Sequence, residues 1–309
     1  MRRRFLPAVL PLVLCVLPSS AFAQMCVAPS FVTPAPTFAI GAAPDDIVSA
    51  DFDNDGLLDI AVGDAGRVQV HLGTAGGFVF SATILAADTT AVAVGDINKD
   101  GNVDVAIAGG TSVFTALGNG AGGFGATTQF NVSPAAAGAI ELVDVNHDGN
   151  LDVIYGNSLG PGISVLLGDG LGGFAIGPAF TMGYTSEMAI GDLNNDGNVD
   201  VVVTNSGADQ IDVALGVGNG AFVSGGTYGT GAFPVGLTIA DFTEDGKLDV
   251  VTMDVVATTM TVLQGVGNGS FIPLAPVPSP DPLVFFVAAG DFDGDGTLDL
   301  LDRTSPARR

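Results

Sequence analysis

One pattern, repeated six times, limits what this chain can fold into: Asp-x-[Asp/Asn/Thr]-x-Asp-Gly-x-x-Asp. The copies begin at Asp51, Asp96, Asp144, Asp192, Asp241 and Asp291, at intervals of 45, 48, 48, 49 and 50 residues. A fixed period of this length means one supersecondary unit per repeat, and about 40–50 residues is the size of a propeller blade.

The residues between the acidic loops support that reading. An apolar run enters each loop, as in Ala91-Val92-Ala93-Val94 or Leu237-Thr238-Ile239-Ala240. A second run leaves it, as in Leu151-Asp152-Val153-Ile154 or residues 199–203. A third ends in Leu-Gly or Gln-Gly, at Gly73, Gly168 and Gly265. Then a Gly-rich turn closes on Phe, over 120–124, 170–174, 218–222 and 267–271, and a fourth extended stretch follows. The runs are about five residues long and rich in Val and Ile, too short for helices of 10–12 residues or more. Four short strands between Gly and Asp turns predict a four-stranded antiparallel blade, and so an all-β propeller with six repeats over residues 24–302. The 45 glycines fit a chain made of turns.

The acidic loops carry the chemistry. Side chains at positions one, three, five and nine, with the backbone carbonyl at position seven, offer hard oxygen ligands around a turn that Gly at position six allows. Loop one supplies Asp51, Asp53, Asp55 and Asp59 with Leu57 at position seven. Loop two supplies Asp96, Asn98, Asp100 and Asp104 with Asn102, and loop three Asp144, Asn146, Asp148 and Asp152 with Asn150. Loop four supplies Asp192, Asn194, Asp196 and Asp200 with Asn198. Loop five has Asp241, Thr243, Asp245 and Asp249 with Lys247, and loop six Asp291, Asp293, Asp295 and Asp299 with Thr297.

Ca²⁺ takes 6–8 oxygen ligands, and such a set predicts structural calcium. Twenty of the 33 acidic residues stand at these ligand positions. Carboxylates packed this closely repel each other unless a cation lies between them. By carboxylate count, loops one and six are expected to bind most strongly and loop five most weakly. An isolated Asp-Gly is usually only a turn, but six aligned copies are not. The EF-hand is excluded, because it needs Glu at position twelve and flanking helices. That position holds Val62, Ile107, Tyr155, Val203, Thr252 and Asp302.

The N-terminus predicts export. Arg2, Arg3 and Arg4 precede an apolar run over 5–17 and the small-x-small site Ala21-Phe22-Ala23, so residues 1–23 read as a cleaved signal and Gln24 as the mature start. The apolar run is shorter than a membrane span of about 20 residues, and no later stretch is long enough. Cleavage removes Cys15 and leaves Cys26 alone, so no intramolecular disulfide is available. It also removes three of the nine Lys and Arg, leaving 6 basic against 33 acidic residues, a net charge of −27. Nucleic acid is excluded as a partner, since phosphate binding needs clustered Lys and Arg. Calcium would be the staple that an exported, disulfide-free fold requires.

The ends of the repeat array are unequal. Phe31 stands 20 residues before Asp51, so 30–40 reads as a fourth strand without a blade. The last repeat offers strands over 284–292 and 298–301 and then an irregular tail, 303–309. The N-terminal strand is expected to complete that blade and hide two sheet edges. The rival is a longer propeller cut short.

With the Asp-x-Asp-x-Asp-Gly-x-x-Asp loop and the turn Leu117-Gly118-Asn119-Gly120…Phe124 in hand, the chain resembles the FG-GAP/VCBS repeat family, which includes the propeller of integrin α subunits. The resemblance covers about residues 30–302. It implies calcium loops on the β-hairpins of a propeller, and a family range from adhesion proteins and lectins to parts of polysaccharide-degrading enzymes. Fold therefore leaves function open.

Little points to catalysis, and no enzyme activity is expected. The two histidines are His71, within a third-strand run, and His147, at position four of loop three and expected to face solvent. The carboxylates outside the loops form no repeated acid–base pair. Asp64, Asn157, Asn205 and Asp254 share one repeat position and read as turn residues between strands two and three. A lectin would want aromatic platforms, and the chain has no Trp and three Tyr. The preferred expectation is a secreted interaction or adhesion scaffold with an extracellular protein or glycan partner. The alternative is a calcium-dependent carbohydrate-binding module, or the non-catalytic part of a larger polysaccharide-acting protein.

Overall fold

The computed structural model describes residues 13–14, 44–64, 66–132, 137–157, 162–279, 287–292 and 296–302. Every regular element among them is a β-strand. Five antiparallel sheets follow one another along the chain, each with its strands in sequence order. Blade one is Pro44–Ala50, Asp59–Asp64, Arg67–Thr74 and Gly77–Leu85. Blade two is Thr89–Gly95, Asp104–Gly109, Ser112–Ala116 and Thr128–Asn131. Blade three is Ala137–Val143, Asp152–Asn157, Ile163–Gly168 and Phe174–Phe180. Blade four is Met188–Gly191, Asp200–Asn205, Gln210–Gly216 and Phe222–Gly229. Blade five is Pro234–Ala240, Asp249–Asp254, Thr259–Gly265 and a broken fourth strand, Phe271–Pro273 then Val277–Pro278. Pro273, Pro276 and Pro278 withhold N–H donors there, which an outer edge tolerates.

The sixth sheet pairs Val287–Gly290 with Asp299–Asp302, and Val13–Leu14 lies against the latter, with Val13 opposite Leu301 and Leu14 opposite Leu300. Val13–Leu14 falls inside the stretch read as an export signal. The predicted cleavage site, Gln24, the strand over 30–40 and the tail 303–309 lie outside the described residues.

The β-propeller architecture expected from the repeat is present. Each Phe-closed turn leads into strand four as read, except in blade two. There Phe124 makes a single bridge to Gly118, and the strand begins at Thr128. Strand two begins one residue later than the apolar run suggested, at Asp152 rather than Leu151 in blade three, because the loop's last Asp is the first residue to pair.

Packing follows the position of each strand in its blade. Strand two is buried at every residue in blades one to five. In blades two to five both of its faces are covered by the blades on either side, so its sequence is a mostly apolar run rather than an alternation. Strand four is the outer edge, with Val79, Phe80, Ile176, Val223 and Ile272 exposed. First strands of consecutive blades contact one another, from Pro44–Ala50 through to Val287–Gly290. Among the described residues the core is accordingly five clusters, each shared by two consecutive blades. Val70 and Ile84 meet Val105 and Ile107 between blades one and two, and Val202 and Ile211 meet Val250 and Leu263 between four and five. Burying one such side chain fully contributes about 1.5–3 kcal/mol.

Candidate metal centres

All six acidic loops join strand one to strand two, so they lie at the same end of every blade. Each is pre-shaped by its own carboxylates. In loop one, Asp51 Oδ1 accepts the Asp55 N–H at 3.1 Å and Asp51 Oδ2 accepts the Gly56 N–H at 2.8 Å. Asp55 Oδ1 accepts the Leu57 N–H at 2.8 Å. The same three contacts recur in loops two, three, four and five. In loop six, Gly296 N–H donates to Asp291 Oδ2. Asp293 and Asp295 lie outside the described residues, and Thr297 is the position-seven residue there. Gly at position six has φ between 80° and 90° in all six loops. Position four is also left-handed, with Asn54, Lys99 and His147 at φ 60°, Asn195 at 58° and Glu244 at 55°.

The carboxylate at position nine does the most structural work. Asp59, Asp104, Asp152, Asp200 and Asp249 are fully buried. One oxygen of each accepts the N–H of the residue at position two or three, as Asp59 Oδ2 does from Phe52 at 2.7 Å. The other accepts the N–H of a Gly at or near the end of strand three: Gly73, Gly118, Gly168, Gly216 or Gly265, at 2.6–2.8 Å. A Cβ on any of these glycines would overlap the carbonyl oxygen at position eight. The repeated Leu-Gly thus lets strand three approach the acidic loop.

Electrostatics separate the positions. Burial raises the carboxyl pKa of Asp104, Asp152 and Asp249, and pushes Asp200 to about 6, against the hydrogen bonds that lower them. At position five the N–H of position seven holds Asp100, Asp148 and Asp196 below the usual range. Asp245 is lowered first by its bond to the Lys247 ammonium. Asp53 is raised, by local desolvation first and then by the charges of Asp55, Asp59 and Asp51.

The residues fit a hard cation. Oxygens of Asp51, Asp53 and Asp59 all lie within 4.8 Å of one another. In loop five, Thr243 Oγ1 is buried without a hydrogen-bond partner of good geometry, although it lies close enough to Asp249 to help hold that carboxylate charged. Loops two, three and four differ at position three. There Asn98, Asn146 and Asn194 donate from Nδ2 to Asp100, Asp148 and Asp196 at 3.0–3.1 Å. Asp53 has no such donor, so loop one is left with unrelieved repulsion.

One reading of single residues is extended and another changes. His147 is exposed, as expected, and its Nε2 also lies 3.0 Å from Asn198 Oδ1 in the next loop. Asp64, Asn157, Asn205 and Asp254 are the last residues of strand two, and they are buried. Asp254 accepts from Thr252, Thr259, Thr261 and the Gly231 N–H, and Asn205 donates to the buried Asp212. These are satisfied networks that seal the end of the blade opposite the acidic loops. His71 is buried edge-on to Phe80, its ring pKa lowered by burial.

The structure also gathers three carboxylates that looked scattered. Asp46, Glu141 and Glu187, on or just before first strands, line one cavity of about 510 Å³ with Asp45 and the inner faces of blades one to four. Asp46 Oδ2 accepts the Val92 N–H at 2.7 Å, linking blade one to blade two. Burial first, then the Asp46 charge, pushes Glu141 and Glu187 to about 7, and burial raises Asp46. The available signal was an acidic residue three to five places before an acidic loop, in the strand that faces the axis.

The family model of the FG-GAP-like repeat matches residues 51–107, 96–155, 144–203 and 192–252, an unbroken stretch of well over half the chain. The chain belongs to the FG-GAP-like repeat family. Among curated proteins, none matches this FG-GAP-like chain. Among solved structures, it is similar to an Agrocybe aegerita lectin that recognises non-reducing terminal N-acetylglucosamine, at 20% identity and TM-score 0.51, over 84% of this chain and 71% of that one. It is also similar to rhamnogalacturonan lyase YesW, at 14% identity and TM-score 0.52, over 85% of this chain and 55% of the lyase. A putative 6-phosphogluconolactonase from Bacteroides uniformis is similar at 13% identity and TM-score 0.57, over 78% and 73%. At these identities the likeness is one of fold. Among the described residues, no helix is long and apolar enough to cross a membrane.

Proposed function

We propose that this FG-GAP-like propeller is an exported, calcium-stapled interaction scaffold without catalytic activity, engaging an extracellular protein or glycan. The observation that carries the calcium part is the convergence of Asp51, Asp53 and Asp59 oxygens within 4.8 Å, in a loop whose pattern recurs five more times. Asp51, Asp53, Asp55 and Asp59 and the Leu57 carbonyl would hold the ion in loop one, and the equivalent residues would hold it in the others. When bound, calcium neutralises the carboxylates and ties strand one to strand two in each blade. Export is supported by the Arg-rich, apolar N-terminus. Calorimetry of the chelator-treated chain tests the reading, with several calcium ions per chain expected. A chain that takes up none refutes it.

A glycan is the second reading of the partner. It is supported by the fold shared with the N-acetylglucosamine-recognising lectin. A glycan array probed with and without calcium discriminates: calcium-dependent retention on defined glycans supports it, and a blank array favours a protein partner.

A further inference from the structure

Neighbouring acidic loops touch, and the contacts follow the same direction from blade to blade. Asn54, at position four of loop one, donates to Asn102 Oδ1, at position seven of loop two, at 3.2 Å. His147, at position four of loop three, meets Asn198 Oδ1, at position seven of loop four, at 3.0 Å. Between them, Lys99 of loop two reaches loop three, its Nζ 3.7 Å from where a Cβ on Gly149 would stand. The Gly-rich turns add backbone links. Gly122 N–H donates to the Phe52 carbonyl, Gly220 to Val145 and Gly269 to Leu193, at 3.0–3.1 Å, each reaching position two of the preceding blade's loop. Position two is the residue whose own N–H is held by the buried carboxylate in loops one, three and four.

We infer that position four of loops one and three is a positioning residue for the next loop around the propeller, so that calcium affinity in loops two and four depends on a side chain from the loop before. This rests on the calcium reading above. Position seven supplies a backbone carbonyl to the ion, and its side chain is what the preceding loop grips. The backbone at position four is left-handed in loops one to five, and in loops one and three its side chain crosses the blade boundary. Lys, His and Glu adopt such a conformation at a cost. The tertiary contact offsets it at His147.

Calcium titration of the full chain carrying nitrogen-labelled glycine tests the inference, because the amides of Gly197 and Gly246 report loops four and five separately. His147→Gly keeps the left-handed backbone and deletes the contact. It is expected to raise the calcium midpoint at Gly197 by about threefold to tenfold, the size of one hydrogen bond, and to leave Gly246 nearly unchanged. His147→Asn copies the Asn54–Asn102 pair and is expected to restore Gly197. An unshifted midpoint in His147→Gly, an equal shift at Gly246, or no rescue by Asn overturns the coupling. A Gly197 amide that ignores calcium in the unsubstituted chain overturns the calcium reading, and the coupling with it.

Discussion

Gly73 and Asp59 stand fourteen residues apart, and the Gly73 amide donates to Asp59 Oδ1 at 2.6 Å. The pair joins the end of strand three to the last residue of the acidic loop, and it recurs in blades two to five. Two features of the repeat that look separate in sequence, the Leu-Gly and the terminal Asp, are two halves of one contact.

The contact leaves no room for a side chain. Gly168→Ala would drive a Cβ into the Leu151 carbonyl, and is expected to cost about 1–3 kcal/mol through displaced backbone. Gly229→Ala, where nothing lies within 4 Å, is the control and should be neutral. Urea unfolding of the two variants with calcium present measures the difference; equal midpoints would contradict the close approach.

The buried carboxylate has a role apart from any ion. Asp200→Ala strands the Leu193 and Gly216 N–H groups, which now donate to it at 2.9 and 2.8 Å. A loss of about 2–5 kcal/mol is expected, and much of it should persist in excess chelator. If chelator abolishes the difference between variant and parent, Asp200 acts only through the metal.

Loop one should respond to substitution with opposite signs in the two calcium states. Asp53→Asn supplies the Nδ2 donor that Asn98, Asn146 and Asn194 use, and removes one of four carboxylates. A higher Tm in chelator and a higher calcium midpoint at Gly56 are expected together. An unchanged or lower Tm in chelator would contradict the repulsion argument, and an unchanged or lower calcium midpoint would contradict Asp53 as a ligand. Chelator alone should lower the Tm of the parent chain substantially.

The axial carboxylates predict a pH dependence. Glu141 and Glu187 sit at about 7 in the fold, above their ordinary value of 4.5, so the folded chain keeps protons that the unfolded chain has lost. Their contribution is full below about 4.5 and disappears as pH rises through about 7, at about 1–2 kcal/mol per group after discounting for their partial exposure. At fixed calcium, the Glu141→Gln, Glu187→Gln double variant should gain in Tm relative to the parent between pH 5 and 8. A constant difference across that range would show that the carboxyls titrate normally.

Much of the fold was legible because a period forces it. Six loops at blade spacing, Val and Ile runs of strand length and Phe-closed turns left few architectures, and the candidate ligand positions were named from residue type alone. Blade two shows the limit. Its turn carries the full Leu-Gly-Asn-Gly…Phe signature, yet strand four starts four residues past Phe124.

The sequence by itself determined the blades, the six oxygen-rich loops and their common end of the propeller, because those depend on local spacing within about fifty residues. Only the tertiary structure decided what adjacent blades do to each other. His147 reads as no more than a solvent-facing turn residue until blade four brings Asn198 within 3.0 Å. Asp46, Glu141 and Glu187 read as scattered until the first strands of blades one, three and four face one cavity. Pairing within a blade is dictated by neighbours in the chain. Contact between blades is dictated by the angle at which whole sheets pack, and no short stretch of sequence encodes that.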